Sequence, residues 1–312
     1  MEKPCVQGFF SLFTGKFKKD WNVGSFSNGR SKLKPELVMA SLMAALYALS
    51  LLAAGLAGGL YAVLISGLMF VVFLALAYLA RAGALRGLQR PGPLISVFLG
   101  LSLLSLAWGS MLFFNVANIN NADTVMRVAM VGVANTVVSL IIIAGIMYLE
   151  KDSLQKIYVT VGDVKSMAPG IGGFIICVLL AVGAAYFLFG GNAIGQDKLV
   201  LLIASVLVFS ILGGAYEELW FRGLLLSRIT PLLGESRGNF YQAAVFGAFE
   251  AMMFYTVTYL FIDLAVFFII GAFLGYYWGR STLKTDSLLG AALLHAGLYA
   301  LILLPLLVGL QP

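Results

Sequence analysis

An all-α, polytopic transmembrane helical bundle of about nine spanning helices is the fold class this chain predicts, and three observations predict it. Its 312 residues are 61% hydrophobic and only 11% charged, where a soluble domain carries about 25% charged residues. Apolar segments long enough to cross ~30 Å of hydrocarbon recur along the chain. The basic residues fall mainly in the short polar connections between those segments, where they orient a chain against an anionic inner leaflet.

Residues 1–35 form a basic, aromatic cytoplasmic tail with seven Lys or Arg against two acids. Phe9, Phe10, Phe13, Phe17 and Trp21 alternate with Lys16, Lys18 and Lys19, a pattern that suits a segment lying on the bilayer surface. Gly8 and Gly15 weaken helix formation, so a disordered tail that enforces topology fits equally. No early apolar run with a small-residue cleavage site is present, so a cleaved signal peptide is not expected.

The apolar segments are 37–56, 59–80, 93–115, 126–148, 169–190, 199–221, 240–259, 262–279 and 288–308. Residues 36–198 supply membrane helices of unassigned role, and 199–312 hold the chemistry. With a cytoplasmic N-terminus, 18 of the 20 basic residues lie inside and only Arg127 and Lys198 outside; the C-terminus then falls outside. This distribution accounts for the net charge of +6 without nucleic acid as a partner. Cys5 and Cys177 have neither paired nor metal-binding spacing.

Ionisable residues inside spanning segments are costly, about 2.5–3.5 kcal/mol for Asp, Lys or Arg at a helix centre, and so point to function. The sixth segment ends in Tyr216-Glu217-Glu218-Leu219-Trp220-Phe221-Arg222. Glu218 precedes Arg222 by four residues, the favoured order for an intrahelical ion pair. Glu217 points about 100° away and is expected to face a cavity. Glu250 lies in the seventh segment, and His295, the one histidine, in the ninth. At 1.5 Å per residue, Glu250 and His295 lie roughly 10–15 Å from their helix starts and Glu217 about 16 Å from Arg228. Two carboxylates and an imidazole at one level suit water activation, and their ligand chemistry accepts a divalent metal such as zinc, although no HExxH spacing is present. A hydrogen-bonded packing role for Glu250 or His295, and a small proton-coupled transporter, use the same residues.

These motifs resemble the CPBP family of intramembrane proteases, which includes CAAX prenyl endopeptidases of the Rce1 type and bacteriocin-processing or immunity proteins. The resemblance covers residues 205–303: the EExxxR pattern with its FRG continuation at Glu217 to Gly223, Phe246-Gly247, and Ser287-Leu288 leading to His295-Ala296. It implies that Glu217 activates the hydrolytic water, that Glu218 and Arg222 support it, and that His295 with the residue at 299 stabilises the oxyanion. In the family a histidine stands four residues after the phenylalanine, where this chain has Glu250, and an asparagine or similar residue where it has Tyr299. The implied activity is endopeptidase cleavage of a membrane-anchored peptide or lipidated protein within the lipid bilayer. The two departures equally suit a catalytically silent scaffold.

Overall fold

The computed structural model describes residues 35–85, 91–113, 124–162, 164–189, 196–258 and 260–309. The basic aromatic tail and the Asn-rich connection after residue 114 lie outside the described residues. Among the described residues, ten α-helices carry the fold. They are α1 (Pro35–Ala57), α2 (Gly59–Arg81), α3 (Pro91–Phe113), α4 (Thr124–Glu150), α5 (Val164–Phe189), α6 (Gln196–Glu218), α7 (Ser227–Leu233), α8 (Glu235–Thr258), α9 (Phe261–Thr285) and α10 (Leu289–Gly309). A π-helical stretch, Leu219–Leu226, joins α6 to α7 without a break.

Each of the nine expected apolar segments falls on a helix, but seven helical spans among the described residues are long and apolar enough to cross a membrane. Helix α3 carries an apolar stretch, Pro91–Ala107, among the described residues. Helix α8 fails on composition, because its Asn239, Gln242 and Glu250 are buried polar residues. Such a helix is stable inside protein and not in lipid. The sixth segment extends well beyond the expected residue 221, as one 35-residue span from Leu199 to Leu233.

Local chemistry sets the helix boundaries. Pro35 opens α1, where a fixed φ and a missing N–H cost nothing. Gly58 and Gly59, at φ 63° and 48°, provide the left-handed turn to α2 that a residue with a Cβ resists. Outside, the bundle shows Leu42, Leu64, Ile141, Phe187 and Phe273 to the surroundings, while Tyr47, Phe73, Phe98, Trp220, Phe246 and Trp278 fill one core. An apolar exterior around a tightly filled interior is what a lipid solvent demands.

Helix α6 packs on α10, α8 on α9, and α5 on α10. A Cβ placed on Gly214 would meet the Ala296 nitrogen at 2.8 Å and the Ala292 oxygen at 2.9 Å, so the α6 and α10 backbones touch only because position 214 has no side chain. Near this contact, at the start of α10, a strap, residues 151–162, packs against the bundle. Its buried Ile157 lies against Gly223 of the π stretch. The Tyr158 carbonyl accepts from the Leu288 N–H at 3.1 Å, and the Ser287 hydroxyl donates to the Thr160 carbonyl at 2.7 Å. Asp152 forms ion pairs with both Arg228 and Lys156. The strap thereby fixes the start of α10 against the π stretch, and with it the register of the side chains between them.

Candidate active site

Three elements converge on one point: the end of α6 with Glu217 and Glu218, the middle of α8 with Glu250, and α10 with His295 and Tyr299. None of these residues is more than 7% exposed, and Arg222 is fully buried. Ligand atoms from Glu217, Glu250 and His295 all lie within 4.8 Å of one another. The similar depths read from the sequence are thus accompanied by lateral contact, which depth alone does not dictate.

Glu218 and Glu217 have different surroundings. Arg222 Nη1 lies 2.8 Å from Glu218 Oε1, a close ion pair without hydrogen-bond angles, since Nη1 has no hydrogen-bond partner by geometry. The same oxygen lies 3.0 Å from His295 Nδ1. Accepting at Glu218 Oε1 calls for the ring form with its proton on Nδ1. His295 Nε2 then faces the other two acids, 3.7 Å from Glu217 Oε2 and 3.7 Å from Glu250 Oε1. Tyr299 donates its hydroxyl to Glu217 Oε1 at 2.7 Å, with Glu250 Oε1 at 3.3 Å from the same oxygen.

Aromatic rings complete the walls. The Arg222 guanidinium sits 4.1 Å from the Phe246 ring centre and 5.2 Å from that of Trp278, a cation–π arrangement that compensates part of its desolvation. Trp278 also lies 4.7 Å from the His295 ring, tilted by 33°. Sequence reasoning singled out Phe246 but not Trp278, because no charge or spacing distinguishes an apolar aromatic on α9. Nor does any residue pattern announce the π stretch after Glu218. Such stretches are frequent at functional sites, and here it carries Arg222.

The donor set fits a divalent cation. Two carboxylates and one imidazole offer ligands of the kinds zinc accepts, and Glu217 Oε2 has no hydrogen-bond partner within the protein. The charge balance agrees: three buried carboxylates face one arginine and one histidine, an excess that requires protons or a cation. Among curated proteins and solved structures nothing matches this chain. One family does match, over a third of the chain that contains the whole cluster: residues 199–301 are similar to the type II CAAX prenyl endopeptidase Rce1-like family.

Proposed function

We propose that the protein is an intramembrane endopeptidase that hydrolyses a peptide bond in a membrane-anchored or lipidated substrate with a glutamate-activated water. The observation that carries this reading is the meeting of Glu217, Glu250 and His295 within 4.8 Å in a buried site. Glu217 takes the proton of a water whose oxygen attacks the scissile carbonyl, and that proton passes to the leaving amide nitrogen as the C–N bond breaks. In the imidazolium form, with Nδ1–H held by Glu218, His295 donates Nε2–H to the charge that develops on the carbonyl oxygen. Tyr299 holds Glu217 beside Glu250 in the closed site and reaches the oxyanion only by releasing Glu217. Glu217, Glu250 and His295 Nε2 would hold a divalent metal, which would supply Lewis-acid polarisation of a carbonyl and a more acidic water in place of the Nε2–H donor.

On the positive-inside reading, the strap and the α7–α8 turn face the cytoplasm, and the substrate is cleaved near an inner-leaflet end. In liposomes, the protein should cleave a library of membrane-anchored peptides, and Glu217→Gln should abolish cleavage with the fold intact. Equal cleavage by that variant sinks the assignment. A second reading, a catalytically silent scaffold, draws on the Tyr299 hydroxyl lying between both acids. It gains ground if neither the native chain nor the Glu250→His, Tyr299→Asn variant cleaves.

A further inference from the structure

Glu217, Glu250, His295 and Tyr299 are all buried, so a substrate reaches them only if helices part. The backbone contacts show which helices stay together. A Cβ on Gly170 of α5 would meet the Gly290 Cα at 2.7 Å, and one on Gly297 would meet the Phe174 Cα at 2.8 Å. With the Gly214 contact, these join α10 to α5 and α6 backbone to backbone. A Cβ on Gly247 of α8 would meet the Phe268 oxygen at 2.7 Å and the Ala272 nitrogen at 2.8 Å, so the α8–α9 hairpin is a second unit of the same kind. The two units meet through side chains of the site: His295 with Trp278, Phe246 and Glu250, and Tyr299 with Glu250.

Beyond the site the units draw apart. His295, Tyr299, Ile302 and Leu306 recur every three or four residues and share one stripe of α10. His295 and Tyr299 are 3% and 7% exposed, whereas Ile302 and Leu306 are 37% and 38% exposed. The hairpin does not stop short of them. At 1.5 Å per residue, Leu306 lies about 16 Å beyond His295, while α9 continues about 25 Å from Trp278 to Phe261. Packing agrees: Leu304 and Leu307 of α10 share a core with Ala181 of α5 and Leu202 of α6, separate from the core that holds Phe246 and Trp278. An apolar wedge therefore runs between α10 and the hairpin, with its narrow end at Tyr299.

Both attachments of the hairpin lie at the other end. Gly234, at φ 81°, precedes α8, and Asp286, at φ 50°, follows α9. Element-terminal residues of this kind are where hinges form, and they leave the α8–α9 connection as the end that swings. Helix α1, which packs on α8, travels with it.

We infer that the hairpin is a lateral gate: pivoting on Gly234 and the 285–288 connection, it swings from α10 and admits an apolar polypeptide segment of the substrate from the bilayer, along Ile302 and Leu306, to Glu217. The occupant rests on the endopeptidase reading; the swing does not. An apolar stripe selects an apolar segment, and its continuity with the site selects the chain that is to be cut. Tyr299 is the bolt, since its hydroxyl donates to Glu217 and lies 3.3 Å from Glu250 of the hairpin.

The test uses the full chain in nanodiscs, with Cys5→Ser and Cys177→Ala, spin-labelled at Phe187→Cys on α5 and at either Ile262→Cys or Lys284→Cys on α9. Pulsed EPR should give the 187–262 pair a second population longer by about 5 Å or more, and the 187–284 pair, which ends at the pivot, a single distance. In a Glu217→Gln background a single-span leucine–alanine peptide should enlarge the longer population, and benzoylphenylalanine at position 302 should crosslink to that peptide. Crosslinks to phospholipid alone overturn the polypeptide occupant. A single 187–262 distance with and without peptide overturns the gate, whether or not the protein cleaves; two distances without cleavage sink the peptidase reading and leave the gate. Ile302→Trp fills the wedge and should lower kcat/KM about tenfold through KM, whereas Phe187→Trp on the outside of α5 should change neither constant. Unchanged cleavage by Ile302→Trp overturns the route.

Discussion

His295 Nδ1 lies 3.0 Å from Glu218 Oε1, the same oxygen that faces Arg222 at 2.8 Å. Glu218 therefore links the arginine of the π stretch to the imidazole of α10 and sets which ring nitrogen faces Glu217. Glu218→Gln keeps the shape but offers an amide that can turn either its donor or its acceptor to Nδ1. Cleavage should fall by about 10- to 100-fold, in kcat more than KM, as is usual when a group that orients a histidine is changed. Glu218→Ala instead strands Arg222 in the core and should cost about 3–5 kcal/mol. The two variants separate orientation from folding, read by steady-state rates and by thermal melts in detergent.

Tyr299 is the residue whose placement departs most from its expected use. Its hydroxyl donates to Glu217 at 2.7 Å and lies 3.3 Å from Glu250, so a single O–H stands between two buried carboxyl groups. Tyr299→Phe removes that hydroxyl without opening a cavity. The acids then lose a buried partner, and stability should drop by about 1–3 kcal/mol. Chemical denaturation of wild type and variant under one set of conditions gives the difference directly.

Cation binding offers a readout that does not depend on a known substrate. Chelator-treated protein titrated with zinc should rise in Tm, as any ligand of the native state produces. Glu250→Gln should weaken that response about 10- to 100-fold in zinc concentration. A wild type whose Tm does not respond removes the metal from the proposed site and leaves glutamate-activated water.

What the sequence made legible follows from cost. Glu217, Glu218, Arg222, Glu250 and His295 stood out because charge in a spanning segment is expensive, and helical rise alone put them at compatible depths. The juxtaposition of Glu217, Glu250 and His295 within 4.8 Å depends on backbone contacts such as Gly214 against Ala292 and Ala296, which no charge marks in the sequence. Composition failed to anticipate that α8 is too polar to count as a spanning helix, because an apolar window does not distinguish a lipid-facing helix from a protein-enclosed one. The π stretch has no residue signature, since its hydrogen bonds belong to the backbone. The direction of the Tyr299 hydroxyl is equally invisible, because a flexible ring at a known position still has several acceptors within reach.

The Gly214 contact makes its own prediction. A methyl group at 214 would sit 2.8 Å from one backbone atom of α10 and 2.9 Å from another, and neither is the end of a flexible side chain. Gly214→Ala must push α6 from α10, at a cost of about 1–3 kcal/mol. Because Glu217 and Glu218 lie within a turn of the contact, the same shift should lengthen the Glu218–His295 bond and lower cleavage. Gly214→Val, bulkier still against the same backbone atoms, should cost more, whereas full stability in the alanine variant contradicts the close packing.

The strap gives a prediction at alkaline pH that leaves the Glu217–Glu250–His295 cluster untouched. Tyr158 is pushed up to about 12 from an ordinary 10.0, first by burial and then by the nearby charges of Asp286 and Glu235. A raised folded-state value means that the unfolded chain gives up its proton first. The strap's contribution is therefore fully present below pH 10, where both states are neutral, and declines as pH rises toward 12. Tyr158→Phe has no proton to lose at that position. Thermal melts of the two proteins should differ by a constant offset up to pH 10 and then shift in favour of the variant. A parallel course through that window would mean that Tyr158 is not enclosed against Asp286 and Glu235.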